Sequence, residues 1–431
     1  VSSSLPREHF RRLLEAGLYQ EALALLQPLV SQNPMDPELL DAVATTYFQL
    51  ENYERGIEIL QAMAVTWPEN AAIWGNLGAR SLQVGDKETA KAAFERKLAL
   101  EPKSASTLSS LDMLEPFERD SSRTRKLRYL SKSGKLSTSE QVIALNTLGK
   151  IEERSGRYKA AIRYFSRSKA TTPGTYDSAA TDRFVADQVR VYYPEKQERV
   201  MPNDAHTRLS FIVGMPRSGT TLLETMLTAH SEVGTIGESP ALLQTLGAVQ
   251  QRLFGRPDPT EDPWAWLGQA PHDLLLAARE TYYQKISPGL RSGFPLLLDK
   301  LPQNQFELGF AHCILPEAKF IAMQRHPLDV GLSLFSNSFH QGHHYTHKLE
   351  WIGHRIRASH ASLLDYSEKL EGRLRLQSYR QLVEDPEAQL RSILSHLNLD
   401  WETSCLSPED NTKAVTTASI NQVRKSINRS G

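Results

Sequence analysis

Hydrophobic positions follow two different patterns along the chain. In residues 1–173, apolar side chains recur at helical spacing within a unit of 34 residues, and a proline closes each clear copy: Pro34, Pro68, Pro102 and Pro173. From about residue 207 onward, the apolar positions form short continuous runs instead, namely LSFIVGM, PLLLDK and KFIAMQR. Each run precedes a turn and a helical stretch, which is typical of buried parallel strands.

These patterns predict two domains and a segment between them. Residues 1–173 are expected to form antiparallel helix pairs, with small residues where two helices cross and bulky residues on the packing face. The period is weakest over residues 105–138, so we expect four to five pairs, one of them degenerate. Residues 174–206 predict a connecting helix and a polar linker. Residues 207–431 predict an α/β domain built on an open parallel sheet.

The repeat resembles the tetratricopeptide repeat (TPR), most clearly in the copy with Trp74, Leu77, Gly78, Ala90 and Phe94. The resemblance implies an all-α solenoid whose concave surface binds a protein or peptide. A rigid spacer or a dimerisation arm is an equally good interpretation. The basic run DSSRTRKLRYLSKSGK in the degenerate copy is interpreted as a solvated helix face.

Composition narrows the function classes. The 50 basic and 50 acidic residues cancel, so nothing draws the whole chain to nucleic acid or to an anionic membrane. Cys313 and Cys405 are too few for a disulfide-rich scaffold and fit a reducing compartment. No apolar run approaches the ~20 residues of a membrane helix, and VSSSLPREHF has no signal core. A cytoplasmic location is therefore expected, although trimming of either end stays open because the chain starts at Val1.

The stretch GMPRSGTT, residues 214–221, predicts a phosphate-binding loop. Gly214 and Gly219 let backbone amides turn toward an anion, and the following helix adds its dipole. The side chains offered to the anion are Arg217, Ser218, Thr220 and Thr221. A nucleoside-triphosphate hydrolase would carry a lysine where Thr220 stands. The loop therefore suits one phosphate with a further anionic group attached, and it requires no metal.

Other candidate residues follow the remaining strands and linking loops. Lys300 comes directly after FPLLLD, and Arg325 comes directly after KFIAMQ. Glu238 follows the helix that begins at the end of the phosphate-binding loop. Ligands of open parallel sheets bind beyond the carboxyl ends of the strands, so we expect these side chains to lie together.

At this point the sequence resembles a known family. The segments FIVGMPRSGTTLLETMLTAHSEV, GES, LDKLPQNQ and KFIAMQRHPLDVGLSLF resemble sulfotransferases that use 3′-phosphoadenosine 5′-phosphosulfate (PAPS). Bacterial TPR-sulfotransferases and tyrosylprotein sulfotransferases are the most similar, over roughly residues 208–430. The resemblance implies the sulfotransferase fold with its P-loop-like sheet, PAPS as the sulfuryl donor, and no metal.

The resemblance also implies roles for single residues. The residues that match the 5′-phosphosulfate loop are Arg217, Ser218, Gly219, Thr220 and Thr221, and those that match the 3′-phosphate pair are Arg325 and Ser333. The weaker nucleotide matches are Tyr379, Ser419, Gln422, Arg424 and Lys425. The chain departs from the family at Arg380, where an acidic residue is usual, and at Ser426, where a proline is expected.

Three residues match catalytic positions of the family. Glu238 matches the base, Lys300 matches the cation beside the leaving oxygen, and Arg217 matches a second residue that stabilises charge. Each catalytic interpretation has an alternative. Glu238 could instead cap a helix, with His230 as the base. Lys300 could pair with Asp299, and a surface salt bridge is the alternative for Arg325.

The implied function is sulfuryl transfer to a hydroxyl acceptor: a peptide tyrosine, a glycan or a small molecule. The stretch ESPALLQ after the base has no arginine that would favour acidic peptides. A P-loop small-molecule kinase and a TPR adaptor with an inactive catalytic domain are the rival functions. Histidines in HQGHHYTHKLEWIGH are interpreted as a polar substrate-facing loop rather than a zinc site, and Trp264 and Trp266 either cover the site or pack.

Overall fold

The structure is a computed structural model that describes residues 4–15, 18–50, 52–172, 174–201, 207–256, 262–290, 293–339 and 342–407. The chain divides into two compact units, with the boundary between residues 173 and 174. Among the described residues, no helix combines the length and apolarity needed to cross a membrane.

The first unit consists of helix pairs. Its helices are α1 (Ser4–Glu15), α2 (Tyr19–Gln32), α3 (Pro37–Gln49), α4 (Tyr53–Thr66), α5 (Ala71–Val84), α6 (Lys87–Leu100), α7 (Ala105–Leu114), α8 (Ser122–Leu130), α9 (Thr138–Arg154) and α10 (Tyr158–Thr171). Side chains of Asp36, Asn52, Asn70 and Asp86 accept backbone N–H bonds at the starts of α3 to α6. The predicted all-α repeat fold is confirmed, with five pairs in the described residues.

Small residues let the two helices of a pair approach closely. A Cβ added to Gly78 in α5 would lie 2.7 Å from the Phe94 ring in α6, and one added to Gly149 in α9 would lie 2.3 Å from the Phe165 ring in α10. The predicted pairing of small and bulky positions is therefore present, because each glycine makes room for a ring.

The degenerate copy forms the short helices α7 and α8. Arginines of the basic run are engaged inside the first unit, where Arg123 pairs with Glu95 and Arg128 lies 3.6 Å from the buried Glu152. The basic run is thus partly neutralised by neighbouring repeats, and its interpretation as a solvated helix face stays a prediction.

The second unit contains a five-stranded parallel sheet in the order β2-β3-β1-β4-β5. Its strands are β1 (Arg208–Gly214), β2 (Val233–Gly237), β3 (Leu296–Asp299), β4 (Lys319–Gln324) and β5 (Leu374–Ser378). The three apolar runs form β1, β3 and β4, as predicted. The edge strand β2 was not predicted, because VGTIG is short and carries little hydrophobic signal.

Helices cover both faces of the sheet. They are α11 (Ser178–Val191), α12 (Thr220–Leu227), α13 (Ala241–Phe254), α14 (His272–Lys285), α15 (Ser287–Leu290), α16 (Leu308–Ile314), α17 (Pro327–Ser336), α18 (Leu349–Lys369), α19 (Tyr379–Glu384) and α20 (Pro386–His396). Successive residues of β1 enter opposite cores, since Phe211 and Val213 belong to one cluster and Ile212 to the other.

Residues 174–201 contribute to the second unit. In α11, Gln188 donates to the carbonyl of Ser362 at 3.0 Å and accepts from the Ser362 hydroxyl at 2.6 Å, which fastens α11 to α18. The segment predicted as a connecting helix and linker thus has its helix packed on α18. Trp264 and Trp266 are buried in the core of the same unit, so they pack and do not cover a site.

Candidate active site

The phosphate-binding loop connects β1 to α12 through an unusual backbone. Gly214 and Gly219 have φ angles of 135° and 102°, and Arg217 has a φ of 74°. A Cβ on Gly214 would lie 2.5 Å from the carbonyl oxygen of Met323, and one on Gly219 would lie 2.4 Å from the Tyr379 ring. Glycine is therefore required at both positions for conformation and for space.

One loop hydroxyl is buried without a protein partner. Ser218 is 1% exposed, and its Oγ makes no hydrogen bond within the residues that the structure describes. Thr220 and Thr221 are also buried, at the first turn of α12. Burying an unpaired hydroxyl costs about 1–3 kcal/mol. A phosphosulfate group would supply the missing acceptor, so these residues fit that ligand.

Two arginines, a serine and a tyrosine meet beside the loop. Arg217 Nε donates to Ser333 Oγ at 2.9 Å, and Arg325 Nη1 lies 3.4 Å from the carbonyl oxygen of Arg217. The Arg325 guanidinium lies 4.6 Å from the centroid of the Tyr379 ring. Burial, and next the Arg325 charge, lowers the pKa of Arg217. Two cations held this close create a local anion site in a chain without net charge.

Arg325 forms the alternative ion pair, with Asp329, but the arginine side chain is largely buried. Its side chain is only 17% exposed, the carboxylate of Asp329 is 3.8 Å from Nε, and that Nε makes no hydrogen bond to any described residue. The sequence assigns Arg217 to the 5′-phosphosulfate loop and Arg325 and Ser333 to a separate 3′-phosphate site. In the structure the two groups are in contact, because Arg217 donates a hydrogen bond to Ser333.

Lys300 lies between two carboxylates. It is fully buried, and its Nζ donates to Glu238 Oε1 at 2.6 Å and lies 3.3 Å from Glu224 Oε2. Asp299 is engaged elsewhere, since it accepts from the hydroxyl of Tyr282 at 2.8 Å and from Asn304 at 3.2 Å. The ion pair of Lys300 is therefore with Glu238 and Glu224, not with the adjacent aspartate.

Glu238 directly follows β2 and has a 45% exposed side chain. The next helix, α13, begins at Ala241 without a side-chain cap, so Glu238 does not cap it. The carboxylate is thus both anchored by Lys300 and open to a ligand. The sequence had put Glu238 after a helix, because the intervening strand was not recognised.

Sequence reasoning missed Glu224. One of its carboxylate oxygens accepts from the Thr235 hydroxyl at 2.7 Å, and the other faces Lys300. Burial raises the pKa of Glu224, and the Lys300 charge opposes that rise. The available signal was a single charged residue in the helix TTLLETML, three residues beyond Thr221.

His230, the alternative base, occupies a structural position in this unit. His230 is buried beyond the far end of α12, where its Nε2 lies 3.0 Å from the carbonyl oxygen of Asp400 and its Nδ1 accepts from the amide of Glu232 at 3.1 Å. Both ring nitrogens are thus engaged, which disfavours His230 as a base. The described residues contain no group of His, Cys, Asp or Glu arranged to hold a metal ion. His340 lies outside the described residues.

The remaining predictions concern the carboxyl end of the chain. Tyr379 lies against Gly219 and Arg325, as described above. Arg380 is exposed and pairs with Glu384 at 2.8 Å. The predicted nucleotide contacts outside the described residues are Ser419, Gln422, Arg424 and Lys425.

Comparison with known proteins divides the chain into the same two regions as the structure. Residues 7–71 match the tetratricopeptide repeat, and residues 210–403 match the sulfotransferase family. An uncharacterized protein of Aquifex aeolicus (strain VF5) is 28% identical over 381 residues, which are 86% of this chain and 49% of that protein. Protein-tyrosine sulfotransferase A of Caenorhabditis elegans is 28% identical over 216 residues, 49% of this chain and 56% of that protein.

Among solved structures, a sulfotransferase from Alicyclobacillus acidocaldarius has 17% sequence identity and a TM-score of 0.31, covering 51% of this chain and 88% of that chain. The chain spans about half the length of the curated relatives that it matches. The region around the phosphate-binding loop matches the sulfotransferase family over residues 210–403, and a TPR match precedes it in this chain.

Proposed function

We propose that this chain transfers a sulfuryl group from PAPS to a hydroxyl acceptor. The observation that carries the proposal is the pairing of two anion sites at neighbouring strand ends. The loop after β1 offers the buried hydroxyl of Ser218, which no described residue hydrogen-bonds, and the residues after β4 offer the Arg325 guanidinium beside Ser333. Arg217 contacts both sites. A nucleotide with separated 3′ and 5′ anionic groups matches this arrangement.

Each site residue would bind one part of the donor. Arg217, Ser218, Gly219, Thr220 and Thr221 would hold the 5′-phosphosulfate. Arg325 and Ser333 would hold the 3′-phosphate, with Tyr379 beside them. Ser419, Arg424 and Lys425 are proposed as further nucleotide contacts. The bound donor supplies the sulfuryl group.

Charge and proton movement would fall to three side chains. Glu238 would accept the proton of the acceptor hydroxyl, since its carboxylate is exposed at the strand ends. Lys300 and Arg217 would stabilise the negative charge that develops on the donor's phosphate oxygens. A buried ammonium is a strong stabiliser of such charge, because no solvent screens it.

The direct test is nucleotide binding in EDTA, measured by isothermal titration calorimetry. We expect adenosine 3′,5′-bisphosphate to bind roughly tenfold or more tightly than adenosine 5′-monophosphate, which lacks the 3′-phosphate. The variant Arg325→Gln should lose that difference, whereas Arg380→Gln, which alters an exposed arginine of α19, should keep it. A requirement for Mg²⁺, or a preference for ATP, would support the small-molecule kinase and refute the proposal.

Turnover separates an enzyme from an adaptor with an inactive domain. Radiolabelled PAPS would be offered with fractionated protein, glycan and metabolite pools, using the wild type and Glu238→Gln. Loss of a general base lowers turnover by roughly 10²–10⁴-fold. Nucleotide binding without transfer to any pool would favour the adaptor.

For the repeat unit we propose a protein or peptide partner, or a second copy of this chain. TPR arrays present such a surface, and the unit exposes large apolar side chains including Tyr129 and Tyr158. Size-exclusion chromatography with light scattering would distinguish a dimer from a monomer that binds another protein.

A further inference from the structure

A cavity of about 210 Å³ adjoins the phosphate-binding loop within the second unit. Its wall includes Met215 and Pro216, which directly precede Arg217, and Gln303, three residues beyond Lys300. The roles assigned above to the site residues leave this cavity unused. An acceptor hydroxyl must reach the same strand ends as the donor, so the cavity is positioned to receive the acceptor.

Four aromatic rings line the cavity: Tyr176, His343, His344 and Tyr345. The Tyr176 and Tyr345 centroids lie 6.2 Å apart, and His343 lies 5.7 Å from Tyr345. His343 is held in place, since its Nε2 is 3.0 Å from the Gln303 amide nitrogen and its Nδ1 is 3.2 Å from the Tyr345 hydroxyl. A cavity that holds one benzene measures roughly 150 Å³. This cavity therefore has room for a single substituted ring, and its walls favour stacking with it.

One cation of the wall has no ion-pair partner among the described residues. The Arg355 guanidinium lies 4.0 Å from the centroid of the Phe306 ring and 5.7 Å from that of Tyr345, and within the described ranges it forms no ion pair with a carboxylate. Burial lowers the pKa of Arg355, and the nearby Tyr176, Tyr345 and Glu307 side chains oppose that shift. The acidic wall residue, Asp177, is used as the cap of α11, where it accepts from the amide of Ala180 at 2.8 Å. The wall charge that forms no ion pair within the described residues is therefore positive.

We propose that this cavity binds the acceptor as a single ring and that Arg355 selects rings that carry an anionic group. The inference rests on the proposed sulfuryl transfer and names the acceptor class. In that reaction the acceptor oxygen forms a bond to sulfur while its proton passes to Glu238. The bond from sulfur to the phosphate oxygen breaks, and its electron pair leaves with adenosine 3′,5′-bisphosphate.

The test uses two phenols that differ in charge and little in shape, 4-hydroxyphenylacetate and 4-hydroxyphenylacetamide. Their binding to the full chain, saturated with adenosine 3′,5′-bisphosphate, is measured by calorimetry, and transfer is measured with radiolabelled PAPS. We expect the acetate to bind with an affinity roughly tenfold or more above that of the amide, and to be sulfated with a kcat/KM that is higher by a similar factor. Arg355→Gln should abolish this preference. Arg357→Gln changes an exposed arginine of the same helix and should preserve it.

Three results would overturn the inference: equal affinity of the wild type for the two phenols, an undiminished preference in Arg355→Gln, or no binding of either phenol to the bisphosphate-loaded protein. Adenosine 3′,5′-bisphosphate binding is measured for every variant, and an unchanged affinity shows that Arg355→Gln is folded. That measurement also separates the two proposals. A wild type that fails to bind the bisphosphate refutes the sulfuryl-transfer proposal itself, whereas bisphosphate binding without charge preference refutes only the acceptor class.

Discussion

The variant Glu224→Gln isolates the second carboxylate beside Lys300. Glutamine has nearly the same shape as glutamate, and Thr235 can still hydrogen-bond to it, so the substitution mainly removes one negative charge. In the wild type, Lys300 Nζ lies 3.3 Å from Glu224 Oε2, so the lysine retains one counter-ion when the Glu238 carboxylate moves away to accept the acceptor's proton. In the variant, the same movement leaves a fully buried ammonium without a counter-ion. We infer that Glu224 is a positioning residue that frees Glu238 to act as a base.

The size of the effect follows from the bond that is lost. A hydrogen bond to a charged group contributes about 1.5–3 kcal/mol. If that contribution is missing only when Glu238 leaves Lys300, kcat falls by roughly 10-fold to 150-fold. The affinity for adenosine 3′,5′-bisphosphate should stay equal or increase, because a negative charge near an anion site has been removed.

The assay measures initial rates with radiolabelled PAPS at saturating acceptor, together with calorimetric titration of the bisphosphate. Glu232→Gln serves as the matched control, since it makes the same change at an exposed residue beside the amino end of β2. A kcat within about threefold of the wild type would refute the positioning role, because the bond would then be worth less than ~1 kcal/mol. Loss of bisphosphate binding would point to a purely structural role for Glu224 and would equally refute this reasoning.

Three further outcomes follow from the structure. Ser218→Ala should lower bisphosphate affinity roughly tenfold while thermal stability stays equal or rises, because the removed hydroxyl has no protein partner among the described residues. Burial raises the pKa of Asp299 to about 7, so the folded state holds that proton more tightly, and the contribution of Asp299 to stability is lost as pH rises from about 4 to about 7. Urea denaturation near pH 5 and near pH 8 should therefore show Asp299→Asn gaining a few kcal/mol relative to the wild type at the higher pH; a constant difference between the two proteins would contradict the pKa. In the repeat unit, Gly78→Ala places a Cβ against the Phe94 ring and should lower the free energy of unfolding by about 1–3 kcal/mol, whereas an unchanged denaturation midpoint would show that the ring gives way.

Features with a local physical cause could be predicted from the sequence. The repeat of small and bulky residues fixes which helix faces pack, and the apolar runs of β1, β3 and β4 must be buried on both faces. The glycines of the loop mark backbone conformations that other residues adopt only with strain. These signals sufficed for the fold class and for the neighbourhood of the candidate site.

Features that depend on strand order were decided only by the tertiary structure. The strand β2 carries little hydrophobic signal, and its place beside β3 is what brings Glu238 to Lys300. The place of β4 beside β1 likewise brings Arg325 and Ser333 to Arg217.

Glu224 illustrates the same limit within a helix. Its position in α12 was readable from the sequence, yet its contact with Lys300 joins residues 76 positions apart in the chain. Hydrophobic periodicity reports which face of an element is buried, but it does not report which buried charges meet across the sheet edge. The sequence alone therefore determined the helix pairs, the strands β1, β3 and β4, and the loop chemistry. The tertiary structure decided which carboxylates share the lysine, because that choice depends on the order of strands in space.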